Sequence, residues 1–395
     1  MTLLVMPTLS CNFKCLYCYN RLLGKNVPEF TKYDPETLAA KTINLAKTIN
    51  HQEIVLHGGE PLLWNIKHLH KFMDIISKAG YRIAIQTNGS LITDKHIQLF
   101  RKYNVSVGVS IDGFPDIGYA RGLYNERGEP LISKEVNERI VSNVLRNIEK
   151  LVKNGINVGV IIVLSKYNFG DDSKIDRLAE FIKYLRKIGV TSGRLNPVFG
   201  FGRIEPYELS WKDLLYGYKL LWYKIRDLGV SYSPYVDISK ALLGNFRDVV
   251  CWFHGCGFFD SFVWTITPYG TIAPCDRALG FGKIPLRADI YNNPIANSKI
   301  RVYALLQTEL KNSRNGHIHR GGCPSESPNG DWRHPSRFWR TWDELIEFMS
   351  EEIRKIIPNI KLPNNYPNKL EFVEKIDRGC AWNIWRGGFA CPQSR

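Results

Sequence analysis

The amino-acid sequence predicts an α/β fold in which helices cover a parallel sheet, followed by a smaller cysteine-rich α+β domain. Over about the first 230 residues, short β-rich runs alternate with longer amphipathic runs, which is typical of consecutive βα units. From about Ser231 the alternation stops, and glycines, aromatic residues and the remaining six of the nine cysteines follow. These two observations separate the chain into a regular first part and an irregular second part.

Six strands fit the β-rich runs, and most helices between them have a recognisable start. Asp34 precedes Pro35 as an N-cap followed by proline at the first helical position, while Thr93 and Ser210 precede two further helices. Longer helical patterns fit Lys134–Asn154 and Lys174–Ile188. Six such units suit an open doubly wound sheet or a partial barrel, and both bind ligands at the carboxyl ends of strands. The predicted strands are Leu3–Pro7, Glu53–His57, Arg82–Thr87, Val105–Ile111, Val158–Leu164 and Gly193–Pro197.

The composition narrows the class of protein. With 44% apolar and 23% charged residues over 395 positions, the chain buries a large core and is not disordered. Its apolar runs are far shorter than the roughly 20 residues of a membrane span, and the N-terminus lacks the features of a signal peptide. We therefore expect a cytoplasmic protein with no membrane partner. The net charge of +15 favours acidic partners without distinguishing nucleic acid from an acidic peptide, and no arginine-rich tract favours the former.

Three cysteines follow the first predicted strand on one short loop. Cys11, Cys15 and Cys18 have the spacing C-x-x-x-C-x-x-C. Three thiolates leave one coordination position open, and an iron–sulfur cube held in this way exposes one iron to a ligand. Two other interpretations are a zinc loop that borrows a distant histidine and a redox pair formed by Cys15 and Cys18.

Polar residues end the next three predicted strands. The second strand ends in the segment His57-Gly58-Gly59-Glu60-Pro61, where two glycines would let a ligand approach the backbone. The third ends in Gln86-Thr87-Asn88-Gly89, and the fourth in Ser110-Ile111-Asp112-Gly113. Each segment alone is an ordinary turn, but together with the cysteine loop they predict a ligand site at this edge of the sheet.

In this order, the cysteine loop, the Gly-Gly-Glu-Pro segment and the Ser-Ile-Asp-Gly segment resemble the radical S-adenosylmethionine (SAM) superfamily over roughly residues 1–235. The resemblance implies a partial (β/α)6 barrel of the TIM type. It also implies that Cys11, Cys15 and Cys18 hold a [4Fe–4S] cluster, whose free iron chelates the amine and carboxylate of SAM. Electron transfer then cleaves SAM to a 5′-deoxyadenosyl radical.

The same resemblance implies positions for the residues that bind the cofactor. Arg121 would meet the SAM carboxylate, where a charge-assisted contact is physically reasonable; the alternative is a solvated loop arginine. Leu195 would contribute at most a backbone contact. The other implied contacts are Tyr17 with the adenine, Gly58, Gly59 and Glu60 with the methionine amine, Asn88 at its strand end, and Ser110 and Asp112 with the ribose and carboxylate.

A second group of cysteines lies in the irregular part of the chain. The run Phe262–Thr267 alternates and Tyr269-Gly270 turns it back, so that a β-hairpin is predicted between Cys256 and Cys275. Four thiolates close a site, which suits structural zinc or a fully ligated cluster. The predicted ligands are Cys251, Cys256, Cys275 and Cys323.

This second pattern resembles the C-terminal extension called SPASM, or its shortened twitch form, of peptide-modifying radical SAM enzymes. At the positions of three further SPASM cysteines the chain has Leu310, Ser313 and His319. The resemblance therefore implies one auxiliary [4Fe–4S] cluster. Cys380 and Cys391 are interpreted as buried or free thiols; the alternative is that one of them is a substitute fourth ligand. The predicted domains are 1–230 for the barrel, 231–340 for the auxiliary domain and 341–395 for a helical segment and tail.

Asp276 follows a predicted cluster ligand directly. It matches the proton-accepting aspartate of anaerobic sulfatase-maturating enzymes, and a carboxylate can take the proton that a substrate radical loses; the alternative is an ordinary turn aspartate. Among the histidines near the motifs, His57 is predicted to line the strand end, whereas His317 and His319 are predicted to be loop residues.

These observations predict a radical SAM enzyme that abstracts hydrogen from a side chain of a peptide or protein, with formylglycine formation or crosslinking as examples. The substrate peptide is expected to be acidic, and the reductant a protein such as ferredoxin or flavodoxin. One alternative is radical modification of RNA or a small molecule, although nucleic acid is not the expected partner. A second alternative is a zinc-binding nucleic-acid or scaffold protein, which leaves the strand-end motifs unexplained.

Overall fold

The computed structural model describes the following residues: 2–18, 30–125, 127–199, 207–245, 249–254, 263–273, 275–279, 304–305, 307–328, 331 and 333–360. Three cysteines discussed above lie outside this part of the chain. They are the predicted ligand Cys256 and the two C-terminal cysteines, Cys380 and Cys391.

The main element is a nine-stranded sheet with the order β7-β6-β5-β4-β3-β2-β1-β8-β9. The neighbouring strands from β1 to β6 pair in parallel and β8 pairs in parallel with β1, whereas β9 pairs antiparallel with β8. In the described part of the chain the sheet is unclosed, which confirms the predicted α/β class. The strands are β1 Thr2–Thr8, β2 Glu53–Gly58, β3 Arg82–Thr87, β4 Ser106–Ser110, β5 Val158–Leu164, β6 Ser192–Pro197, β7 Ser231–Ser233, β8 Val263–Ile266 and β9 Ile272–Ala273.

Several of the helices begin at a side chain that caps the first turn. Asp34 caps α1 by accepting a hydrogen bond from the Thr37 amide at 2.7 Å, and Asp171 caps α5 by accepting one from Lys174 at 2.9 Å. Because of that cap, α5 begins two residues before its predicted start. Helix α2 was not predicted. The helices are α1 Pro35–Thr48, α2 Ile66–Lys78, α3 Asp94–Lys102, α4 Lys134–Lys153, α5 Asp172–Lys187, α6 Trp211–Ile225, α7 Tyr235–Leu242, α8 Cys251–His254, α9 Asp276–Leu279, α10 Gly316–His319 and α11 Trp339–Ile356.

Alternating burial along the strands defines two faces of the sheet. On β2, Ile54 and Leu56 are fully buried, whereas Val55 and His57, each the next residue along the strand, are partly exposed. The strands β3, β4 and β5 alternate in the same way. One face therefore forms a closed apolar core, and the other carries the side chains that a ligand can reach.

The chain forms two compact units. The first comprises Met1–Leu209, Leu220–Tyr232 and Val263–Gly280, and so contains the predicted cysteine loop and the hairpin of β8 and β9. The second comprises Ser210–Lys219, Ser233–Phe262 and Phe281–Arg395. Its core includes Trp342, which lies 5.8 Å from Tyr218 and 5.8 Å from Phe253 between ring centroids. Among the described helices of both units, none has the length and apolarity that a membrane crossing requires.

Candidate active site

Backbone hydrogen bonds join the ends of β1 and β2 at the Gly58-Gly59-Glu60 segment. The Gly59 amide donates to the Thr8 carbonyl at 2.9 Å, and the Glu60 amide donates to the Ser10 carbonyl at 2.8 Å. A Cβ atom at Gly59 would lie 2.1 Å from the Ser10 carbonyl oxygen, and Gly58 has φ +122°, so a side chain fits at neither position. The space expected for a ligand at these glycines is filled by the backbone that leads into the cysteine loop.

Glu60 is fully buried and connects the ends of β2 and β3. Its carboxylate accepts hydrogen bonds from the Leu62 amide at 3.0 Å, the Thr87 hydroxyl at 2.7 Å and the Asn88 amide at 2.7 Å. Burial raises the pKa of Glu60 to about 7, against the opposing effect of these hydrogen bonds. These hydrogen bonds hold the ends of the two strands together.

Asn88 extends this connection to the cysteine loop. Its side-chain amide donates to the Asn12 side chain at 2.8 Å and lies 3.8 Å from the Cys11 sulfur. The side-chain amide of Asn12 donates in turn to the Ser90 hydroxyl at 2.8 Å. The end of β3 therefore fixes the first cysteine through side chains, as the Gly58-Gly59 segment does through backbone.

Asp112, after β4, is the centre of a buried polar group. It accepts hydrogen bonds from the Tyr17 hydroxyl and from the Val163 amide at 3.0 Å, and it pairs with Arg121 at 3.4 Å. The Arg121 guanidinium lies over the Tyr17 ring at 5.5 Å. In the part of the chain that the structure describes, the buried Nε of Arg121 has no hydrogen-bond partner. An anionic ligand group could occupy that position.

The three cysteines of the loop are close enough to influence one another electrostatically. Burial, together with the neighbouring thiols, raises the pKa of Cys11 to about 12 and that of Cys15 to about 11. Such thiols are protonated at neutral pH without a metal, so ligand formation would release protons. The loop is held by hydrogen bonds from Lys14 to the Gly122 carbonyl at 2.8 Å and from Leu16 to the Ala120 carbonyl at 3.0 Å.

This donor set fits an iron–sulfur cube. Three thiols with no carboxylate among them are soft ligands, and a cube binds each thiolate through a different iron. Among the described residues, no three His, Cys, Asp or Glu side chains converge on a single point as they do around one metal ion. The residues present therefore satisfy the chemistry expected for a [4Fe–4S] cluster.

Asp276 and His57 come together at the carboxyl end of the sheet. The His57 Nδ1 lies 3.7 Å from the Asp276 Oδ2, and their side chains are 22% and 10% exposed. The other carboxylate oxygen, Oδ1, lies 3.6 Å from the Cys275 sulfur. Nothing in the sequence indicates this pairing, because only the order of the strands brings the two residues close.

Two further predicted residues have different surroundings. Ser110 accepts a hydrogen bond from the Gln86 side chain at 2.8 Å, so β3 and β4 share a polar contact that was not predicted. Leu195 is fully buried on β6, which pairs with β5. The side chain of Leu195 therefore belongs to the core.

The predicted auxiliary ligands are divided between the two units. Cys275 follows β9 in the first unit, whereas Cys251 begins α8 and the buried Cys323 precedes a short 3₁₀ turn in the second. Their assignment to one cluster stays a prediction.

Ser313 and His319, at two positions where the SPASM pattern has cysteines, belong to a polar cluster in the second unit. Their side chains lie 3.0 Å apart, the Ser313 hydroxyl donates to Asp343 at 2.6 Å, and His319, fully buried, lies 3.4 Å from Asp343. The Asn315 amide also donates to Asp343 at 2.7 Å. Burial acts to raise the pKa of Asp343, but these contacts outweigh it and lower that pKa to about 2. The cluster ties the loop before Cys323 to α11.

Comparison with known proteins places this geometry in a family. Residues 5–182 match the family described as the Radical SAM superfamily. A cysteine-type anaerobic sulfatase-maturating enzyme of Clostridium novyi is 25% identical over 358 residues, which are 83% of this chain and 89% of that protein. A serine-type anaerobic sulfatase-maturating enzyme of Bacteroides thetaiotaomicron is 32% identical over 167 residues, 40% of this chain and 38% of its own length.

A solved structure extends the likeness to the fold. Native anSMEcpe with bound AdoMet and Cp18Cys peptide superposes with a TM-score of 0.70 at 19% identity, over 91% of this chain and 99% of that chain. This likeness confirms the predicted partial barrel. The family match and the sulfatase-maturating relatives exclude the non-enzymatic zinc interpretation. Residues 5–182 thus form a radical SAM domain, and the chain is an enzyme whose cofactors are a [4Fe–4S] cluster and SAM.

Proposed function

We propose that this enzyme abstracts a hydrogen atom from a side chain of a peptide or protein and that Asp276 accepts the proton released afterwards. The observation that carries the proposal is the position of Asp276 at the carboxyl end of the sheet, beside His57 of β2. The neighbouring residues Gly58 to Glu60 join this strand end to the cysteine loop. A carboxylate and the cofactor-binding loop therefore adjoin the end of the same strand, where such sheets bind their ligands.

Cys11, Cys15 and Cys18 would hold the cluster. When bound, the cluster and SAM supply a 5′-deoxyadenosyl radical that removes a hydrogen atom from the substrate. The protein's own contribution is to fix the loop and to exclude water from it. The Thr8 and Ser10 carbonyls accept hydrogen bonds from the Gly59 and Glu60 amides, and the Asn88 side chain contacts Cys11.

One side of the SAM site would be formed by Tyr17, Asp112 and Arg121. Because Asp112 already accepts from Tyr17 and Val163 and pairs with Arg121, its role in the proposal is to orient these side chains. The unpartnered Nε of Arg121, as judged over the described residues, would donate to the SAM carboxylate. Gly58, Gly59, Glu60, Asn88, Ser110 and Leu195 would shape the site mainly through the strand ends on which they lie.

Asp276 would act after hydrogen removal. A carbon radical next to a hydroxyl or thiol loses the O–H or S–H proton to a carboxylate oxygen and one electron to a one-electron acceptor, forming a double bond to oxygen or sulfur. Cys251, Cys256, Cys275 and Cys323 would hold an auxiliary [4Fe–4S] cluster, and Cys275 is the direct neighbour of this base. The structure supports this part of the proposal through the 3.6 Å contact between Cys275 and Asp276.

A peptide substrate is supported by the sulfatase-maturating relatives and by anSMEcpe, a structural neighbour solved with a bound peptide. The net charge of +15 favours an acidic peptide and an acidic electron donor such as ferredoxin or flavodoxin. These partners belong to the proposal.

Isotope transfer tests the proposed reaction directly. The reconstituted enzyme is incubated with SAM, dithionite and matched peptides that carry serine or cysteine deuterated at Cβ. We expect deuterium in 5′-deoxyadenosine and loss of two hydrogens from the peptide side chain. Asp276→Asn should lower peptide oxidation at least about 100-fold while deuterium transfer continues. Cleavage of SAM without deuterium transfer from any peptide would contradict the proposed substrate class.

A further inference from the structure

His57 and Asp276 form a pair that the proposed reaction does not by itself require. The His57 Nδ1 is buried and, within the described residues, has no hydrogen-bond partner. Its nearest acidic atom is the Asp276 Oδ2 at 3.7 Å, beyond a direct hydrogen bond but within ion-pair range. A buried ring nitrogen without a hydrogen-bond partner lowers the stability of the folded protein. The carboxylate next to this nitrogen is therefore the group that could compensate for this loss.

Both residues are fixed by the same strand. On one side of β1, the Thr8 carbonyl and the Ser10 carbonyl hold the residues that follow His57. On the other side, β8 pairs with β1 from Thr2 to Val5, and the hairpin of β8 and β9 leads to Asp276. The position of His57 relative to Asp276 is therefore determined by the sheet.

The two oxygens of Asp276 face different groups. Oδ1 faces the Cys275 sulfur at 3.6 Å and Oδ2 faces His57 at 3.7 Å. Arg277, the next residue, lies over the Phe199 ring at 4.9 Å and so restrains the start of α9. A carboxylate that accepts a proton must be oriented toward the donor atom, and neighbouring side chains maintain that orientation.

We propose that His57 is a positioning residue that orients the Asp276 carboxylate through an Nδ1–H directed at Oδ2. This inference rests on the proposed function of Asp276. His57 holds Oδ2 on the side of β2 while Oδ1 stays beside the Cys275 sulfur, so that the carboxylate keeps one orientation toward the substrate. His57 itself takes no proton from the substrate.

Infrared spectroscopy of the holoenzyme labelled with ¹³C-aspartate tests the pairing without using activity. The carboxylate band of Asp276 is identified as the band lost in Asp276→Asn. We expect His57→Phe to shift that band and His57→Asn to restore it, because the asparagine amide nitrogen can take the place of Nδ1. The matched control is His51→Gln, a buried histidine at the opposite end of β2 whose Nδ1 lies 3.0 Å from the Ile49 carbonyl oxygen. An unchanged band in His57→Phe would overturn the proposal.

The functional consequence is measured as oxidised peptide per 5′-deoxyadenosine with the Cp18Cys peptide. We expect His57→Phe to lower this ratio at least about tenfold and His57→Asn to recover most of it. If the band shifts as described but Asp276→Asn leaves the ratio unchanged, the pairing stands and the proposed base is wrong. If His57→Asn fails to restore the band although its thermal unfolding matches the wild type, the positioning role is wrong.

Discussion

At the scale of single residues, short distances between strand ends explain why this site needs its particular amino acids. The glycines after β2 allow the backbone of the cysteine loop to approach within hydrogen-bond distance. Glu60, although acidic, is fully buried because its carboxylate accepts hydrogen bonds from the Leu62 amide, from Thr87 at the end of β3 and from the following Asn88. The two glycines and Glu60 all act by holding the loop that would bind the cluster.

Gly59→Ala should disrupt cluster binding. The added Cβ would lie 2.1 Å from the Ser10 carbonyl oxygen and 2.5 Å from that of Leu9, so the cysteine loop must move. We expect a clear loss of bound iron per chain after reconstitution. Gly159→Ala on β5 is the control, since its Cβ would make only ordinary contacts, the nearest at 3.4 Å. Equal iron content in both variants would show that the glycine has no such role.

Glu60→Gln should destabilise the protein by about 1–3 kcal/mol. The glutamine NH₂ group would replace an oxygen that accepts a hydrogen bond, so two donors would then face each other. The free energy of unfolding, measured by denaturant titration, gives the loss. Glu53→Gln, at the other end of β2 and only partly buried, should leave that free energy nearly unchanged. A Glu60→Gln variant as stable as the wild type would mean that the three hydrogen bonds to the carboxylate contribute little.

At the scale of secondary-structure elements, the second unit has a polar tie between a loop and a helix. Asp343, near the start of α11, accepts hydrogen bonds from Ser313 and from the Asn315 amide and pairs with the buried His319. Hydrogen bonds to a buried carboxylate are among the stronger ones in proteins. This tie holds the segment that leads to Cys323.

Asp343→Asn should therefore lower the free energy of unfolding by about 2–3 kcal/mol. Its neighbour Glu344 is exposed on the same helix, and Glu344→Gln should have almost no effect. Hydrogen exchange locates the change: amides of residues 313–322 should lose protection in Asp343→Asn. Unaltered exchange in that segment would contradict the role of the tie.

The elements themselves were largely predictable because their signals are local. All six predicted strands are present, each within one residue of the predicted bounds, and the caps Asp34 and Thr93 precede the helices predicted from them. The helix after Ser210 is predicted to run from Trp211 to Asp227, but α6 ends at Ile225, and residues 226–228 form a 3₁₀ turn before the left-handed Gly229. Hydrophobic periodicity does not distinguish these two helical forms.

At the scale of the whole molecule, contacts between distant segments were not predictable. Spacing alone indicated the three loop cysteines, but the partners of Glu60 and Asp112, and the approach of His57 to Asp276, depend on which strands are neighbours. The pairing of β8 with β1 is the decisive case, because it brings a late segment beside the first strand. The functional domain limits near residues 230 and 340 and the four auxiliary ligands stay predictions.

The central claim is that the loop cysteines hold the cluster that cleaves SAM, separate from an auxiliary cluster elsewhere in the chain. Iron, acid-labile sulfide and 5′-deoxyadenosine are measured for the wild type and for a variant with Cys11, Cys15 and Cys18 all replaced by alanine. We predict about eight iron and eight sulfide per wild-type chain, and about four of each in the variant, which should form no 5′-deoxyadenosine. A wild type without acid-labile sulfide, or a variant that still cleaves SAM, would contradict the account.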